Sequence, residues 1–117
     1  MQDWDESIPI YLQLRGTVLK RIISGSLAEG EAVPSVRQVA AEEKINPLTV
    51  SKAYQMLVEE ELLEKRRGLG MYVQEGARSL ALEREREIFL NEEGPHVLAR
   101  VADLGLDAQQ LLQEASS

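Results

Sequence analysis

The chain has 117 residues, 44% hydrophobic and 28% charged, which is the composition of a folded domain and not of a disordered segment. It has no cysteine, which excludes disulfides and thiolate metal sites, and no apolar run near the ~18 residues that a membrane span needs. The net charge of −7 and the acidic start Met1-Gln2-Asp3-Trp4-Asp5-Glu6 argue against a secretory signal, so the chain is expected to be soluble and cytoplasmic, with any surface for nucleic acid confined to a local cluster of Lys and Arg.

Residues 9–24 read as an amphipathic helix, with Ile10, Leu14, Val18 and Ile22 at i+4 spacing and Gly25 as a stop. Ser26 to Val33 is a loop. A second, shorter helix starts near Ser35, where Ser35 and Gln38 have the form of a capping box, and its apolar stripe is Val36, Val39 and Ala40. The third helix has the clearest start: Asn46 suits the N-cap and Pro47 the first helical position, where a missing N–H costs nothing. Val50, Ala53, Tyr54, Leu57 and Val58 form its buried face. Leu48, Lys52 and Gln55 fall opposite, with Thr49 and Ser51 on the flanks.

Leu62 to Val73 contains two short β-type runs around a glycine-bearing turn, a hairpin whose tip carries Lys65, Arg66 and Arg67. Beyond Ala77 the pattern is helical again. Leu80, Leu82, Ile88, Phe89 and Leu90 interleave with a Glu/Arg alternation at 83–87. Asn91 to Pro95 is expected to break or kink this helix. Val97, Leu98, Val101 and Leu104 form a further stripe, Gly105 ends it, and Asp107 caps a last helix with Leu111 and Leu112.

Three helices followed by a basic hairpin predict a mostly α (α+β) fold. Residues 1–76 would be a winged helix-turn-helix and residues 77–117 a helical dimerisation segment. The major groove admits one helix and displays a readable donor and acceptor pattern. Recognition helices read it with their first turns, which here offer Leu48, Thr49, Ser51, Lys52 and Gln55. Leu48 can pack on a thymine methyl, while the other four are polar. Arg37 is placed to clamp the phosphate backbone, and Arg66 and Arg67 to reach phosphates or the minor groove. The tail residues Leu80, Ile88, Phe89, Val97, Leu98, Val101, Leu104, Leu111 and Leu112 are too apolar for a short appendage in water, so a second copy is expected to bury them.

One combination of short motifs resembles the GntR family of bacterial regulators, in particular its short YtrA-type branch, over residues 8–74. Its parts are Ile8-Pro9-Ile10-Tyr11, Pro34-Ser35-Val36-Arg37, Asn46-Pro47, Thr49-Val50, Ala53-Tyr54, and Arg67-Gly68 with Gly70 and Val73. The resemblance implies a homodimer on a near-palindromic operator, a repressor of transcription, and often a transporter operon as target. It implies DNA contacts from Arg37, Thr49, Ser51, Lys52 and the wing at Arg67 and Gly68. Ser35, Asn46 and Pro47, at the starts of the second and third helices, are further candidate DNA-binding residues. Larger relatives carry an effector-binding or aminotransferase-like domain, for which 117 residues leave no room. The sequence departs from the pattern at Leu48, where a small polar residue is common, and at Lys44 and Glu61, where glycine is frequent. It departs again at Leu69, where the wing is often basic.

Two other functions compete with this one. A winged helix can serve protein–protein contact, and the acidic total favours that reading, whereas the basic wing and polar third helix oppose it. An enzyme has nothing to support it: there is no nucleophile–histidine pair, no phosphate-binding glycine loop, no metal-ligand cluster and no cofactor motif, and His96 stands alone. Tyr54 is expected in the core and Trp4 packed on the domain or a partner. The break at Asn91 to Pro95 motivates a subsidiary expectation, an apolar cavity between subunits that takes a small-molecule effector.

Overall fold

A computed structural model describes residues 3–116. It runs α1 (Ile10–Ser24), α2 (Val36–Glu43), α3 (Pro47–Glu59), β1 (Leu63–Arg66), β2 (Gly70–Val73), α4 (Ala77–Ile88), a π turn (Phe89–Glu93), α5 (Gly94–Asp103) and α6 (Ala108–Ser116). The chain divides into two compact units, one up to Leu82 and the other from Glu83.

In the first unit the apolar stripes anticipated from periodicity meet in one cluster. Leu14, Val18, Leu19 and Ile22 of α1 pack with Val39 and Ala40 of α2 and with Val50, Ala53, Tyr54 and Leu57 of α3. Leu62, Leu63 and Val73 close it from the hairpin, and Ala77 and Ala81 of α4 complete it. No charged or polar side chain is buried among the described residues. Cohesion is therefore aliphatic burial, worth about 25 cal/mol per Å² of apolar surface. Trp4 and Tyr11 are half-buried against the cluster.

Chain ends and turns are set by local chemistry. Gly25 closes α1 at φ 86°, and its N–H bonds the Ile22 carbonyl. The Ser35 hydroxyl accepts from the Gln38 N–H at 3.0 Å, which caps α2. The reciprocal half of the capping box is not made: Gln38 Nε2 donates to Glu42 at 3.1 Å instead, because an i,i+4 partner is in reach. Asn46 Oδ1 accepts from the Leu48 N–H at 2.9 Å and caps α3, with Pro47 at its first position. Arg15 of α1 forms a bidentate pair with Glu60 just past α3, with Nε 2.7 Å from Oε2, which ties these two helices together.

The two strands are antiparallel, with Leu63 opposite Val73 and Arg66 opposite Gly70. The loop before α2 runs along the outer edge of β2. Val33 N–H bonds the Met71 carbonyl and Val73 N–H the Glu31 carbonyl, both at 2.9 Å, so the hairpin is anchored at its base and free at its tip.

In the second unit the break expected at Asn91 to Pro95 takes the form of a π turn. Pro95 has no N–H to continue the α-helical ladder. The Gly94 N–H reaches back five residues to the Phe89 carbonyl, and the chain stays helical through the turn. Gly94 is required there, since a Cβ would lie 2.8 Å from the Phe89 carbonyl oxygen. α5 and α6 keep their apolar side chains largely exposed: Leu98 is 60% and Leu112 70% accessible.

Candidate nucleic-acid interface

α3 buries one face in the core and turns the other outward. Leu48 is 75% exposed, and Ser51, Lys52 and Gln55 are exposed beside it. Thr49 is half-buried at the flank. This is the arrangement that the 3.6-residue period dictates once Val50, Ala53, Tyr54 and Leu57 are committed to the core. Tyr54 belongs to the core, as expected: it is 2% exposed and its hydroxyl donates to the Pro34 carbonyl at 2.6 Å. Burial pushes its pKa up to about 12, so the group stays a neutral donor.

The outward face has two borders. On the side of α1, the Lys52 ammonium sits 4.0 Å from the centroid of the Tyr11 ring. On the side of the hairpin, Ser51 and Gln55 line a groove with Ser35 of the α2 cap and with Lys65, Leu69 and Met71 of the wing. Ser35 uses its side-chain oxygen as a cap and places the start of α2 in this groove, whereas at the start of α3 the N–H groups of Leu48, Thr49 and Val50 are all taken up by Asn46. Pro47 and Arg37 are exposed nearby, and Arg37 has no ion-pair or hydrogen-bond partner among the described residues.

The three cations expected together at the hairpin tip are sorted by strand alternation. Leu63 points into the core, so Lys65 lies on the same side, facing α3. Arg66 lies on the opposite side, where its guanidinium hydrogen-bonds Glu64 at 3.0 Å and stacks 4.1 Å from the Tyr72 ring centroid. That outer side also carries Glu29 and Glu75 and is acidic. Arg67, Gly68 and Leu69 form the exposed turn, with Gly68 at φ 76° and Gly70 at φ 102°, values that favour glycine. Arg67 has no side-chain partner among the described residues.

Lys65 is the residue of this groove that sequence reasoning placed in the hairpin without giving it a role. Counting by twos from the buried Leu63 identifies it.

The tail residues fall into three groups. Leu80 packs against the core of the first unit. Phe89, Val97, Leu98, Val101, Leu111 and Leu112 line one open groove of about 410 Å³, almost wholly apolar, in the second unit. Ile88 and Leu104 are exposed outside it, at 40% and 57%. Among the described residues no cluster of His, Asp and Glu has the form of a metal site, and no helix is long and apolar enough to cross a membrane.

Comparison with known proteins gives consistent results. The family described as "Bacterial regulatory proteins, gntR family" matches residues 10–73. The HTH-type transcriptional regulator YhcF of Bacillus subtilis is 28% identical over 110 residues, 94% of this chain and 89% of that protein. The HTH-type transcriptional repressor YtrA of the same organism is 39% identical over 77 residues, 66% of this chain but only 59% of its own length. Among solved structures, a GntR family transcriptional regulator from Listeria monocytogenes superimposes with a TM-score of 0.76 at 25% identity, covering 97% of each chain.

Proposed function

The chain belongs to the GntR family of bacterial regulatory proteins, and on that premise we propose that it represses transcription by binding a near-palindromic operator as a homodimer. It is a DNA-binding regulator of the YtrA type and not an enzyme. The observation that carries the finer reading is the exposed face of α3, Leu48, Ser51, Lys52 and Gln55, bordered by a groove that the wing completes. In this reading α3 enters the major groove with its first turns. Leu48 meets a thymine methyl, and Thr49, Ser51, Lys52 and Gln55 meet base edges and phosphates. Arg37, Asn46 and Pro47 sit over the backbone with Ser35 at the α2 start. Arg67 and Gly68 follow the backbone at the wing, while Arg66, already held by Glu64, contributes little charge.

The open apolar groove of the second unit supports homodimerisation. A face lined by Phe89, Leu98 and Leu112 is unfavourable in water, and a second copy would cover it by two-fold symmetry. The proposal also includes a transporter operon as target, from the family resemblance. It includes a cytoplasmic location, from the acidic N-terminus and the lack of an apolar span, and a small-molecule effector in the tail, from the break at Asn91 to Pro95.

A mobility-shift titration on the region upstream of the chain's own operon, with competitor DNA and at several salt concentrations, tests this function. A specific complex that survives competitor and weakens with salt is expected. A complex that competitor removes entirely would contradict it and favour protein–protein contact through the acidic outer side of the hairpin.

A further inference from the structure

A solvated lysine samples many rotamers, and ordering it against a phosphate lowers the gain from the contact. Lys52 is exposed on α3, yet its ammonium lies over the Tyr11 ring, 4.0 Å from the centroid. Tyr11 sits in the first turn of α1, half-buried, and packs against the core cluster. The platform under the ammonium is therefore fixed by the fold.

The kind of contact matters. An aromatic face attracts a cation through its quadrupole and leaves the charge whole, with its N–H donors free for a further acceptor. The wing shows the contrasting case. Arg66 also stacks on a ring, that of Tyr72 at 4.1 Å, but Glu64 at 3.0 Å neutralises it. No carboxylate within ion-pair distance of Lys52 is found among the described residues. One cation is held and stays charged, and the other is held and offset.

We propose that Tyr11 is a positioning residue for DNA binding, holding the Lys52 ammonium at the α1 border of the reading face so that it meets the phosphate backbone already ordered. This rests on the reading of α3 as the DNA-facing helix.

A double-mutant cycle on the full chain tests it, with a duplex that the wild-type chain selects from random sequence. Lys52→Met is expected to weaken binding about tenfold. Tyr11→Leu keeps an apolar side chain on the core and is expected to weaken it about two- to fivefold. The two together should lose no more than Lys52→Met alone. Tyr11→Phe, which restores the ring, should recover the affinity that Tyr11→Leu loses. In the free protein, the Lys52 side-chain protons should show an upfield ring-current shift that survives Tyr11→Phe and disappears in Tyr11→Leu, a readout that a purely structural role for Tyr11 does not move. Should Tyr11→Leu fail to fold, Tyr11→Met takes its place in the cycle.

Equal losses from Tyr11→Leu with and without Lys52 would overturn the proposal. Tighter binding in Tyr11→Leu would overturn it too, since the ring would then be holding Lys52 away from the duplex. If Lys52→Met weakens binding but is not coupled to Tyr11, only the proposal falls. If Lys52→Met binds as wild type, the α3 reading of Lys52 falls with it.

Discussion

Lys44 and Glu61 adopt φ of 56° and 65°, in the left-handed region that favours glycine. Neither residue type signals such a conformation, and only the family resemblance, in which glycine is frequent at both positions, pointed to it. A left-handed non-glycine costs roughly 1–2 kcal/mol, partly offset by the flexibility that glycine adds to the unfolded chain. Glu61→Gly is therefore expected to stabilise the protein by about 0.5–1 kcal/mol, read from denaturant midpoints. The wing cations make the same point about legibility. In sequence Lys65, Arg66 and Arg67 are three similar charges, and their different surroundings emerge only when strand alternation and the Glu64 and Tyr72 contacts are in place. Arg67→Ala is expected to reduce the slope of log affinity against log salt by about 1 per subunit, about 2 for a dimer on its operator, as for one lost phosphate contact on each side. Arg66→Ala should reduce it by clearly less. Equal slopes in the two variants would show that the Glu64 pairing opens on DNA.

At the scale of elements, the sequence was most informative where chemistry is local. The Asn46 and Ser35 caps, the Gly25 stop and the apolar stripes of α1 to α3 can be read from spacing, because each depends on residues within a turn or two. The reciprocal Gln38 bond could not be read, since Glu42 competes for the same side chain. The π turn lay further out of reach. Pro95 announces that the ladder must change, but a kink, a break and a widened turn all satisfy a missing N–H. What selects the widened turn is Gly94, whose N–H reaches the Phe89 carbonyl and whose lack of a Cβ lets that oxygen approach. Gly94→Ala places a Cβ 2.8 Å from backbone, which cannot yield as a flexible side chain can. The variant is expected to lose roughly 1–3 kcal/mol, as overpacked sites do, seen as a lower melting temperature by circular dichroism. An unchanged melt would mean that the helix repacks without the widened turn.

For the whole molecule, the puzzle is an acidic protein that binds DNA. The whole chain carries −7, but the charges around the hairpin are not spread evenly: Glu29, Glu64 and Glu75 lie on its outer side, while Lys65 faces α3. With few cations on the reading face, the proposed function predicts modest affinity per subunit and a need for two subunits. Leu98→Glu, in the middle of the apolar groove of the second unit, is expected to shift sedimentation from dimer to monomer. It should weaken operator binding at least about tenfold, because linking two modules multiplies affinity by 10²–10⁴. The most direct test of the dimeric, sequence-specific regulator is selection from random-sequence DNA by the full chain. The expected result is an inverted repeat whose half-site centres lie one helical turn apart, about 34 Å, or a multiple of it. Selection of no sequence, or of a single half-site without symmetry, would contradict it.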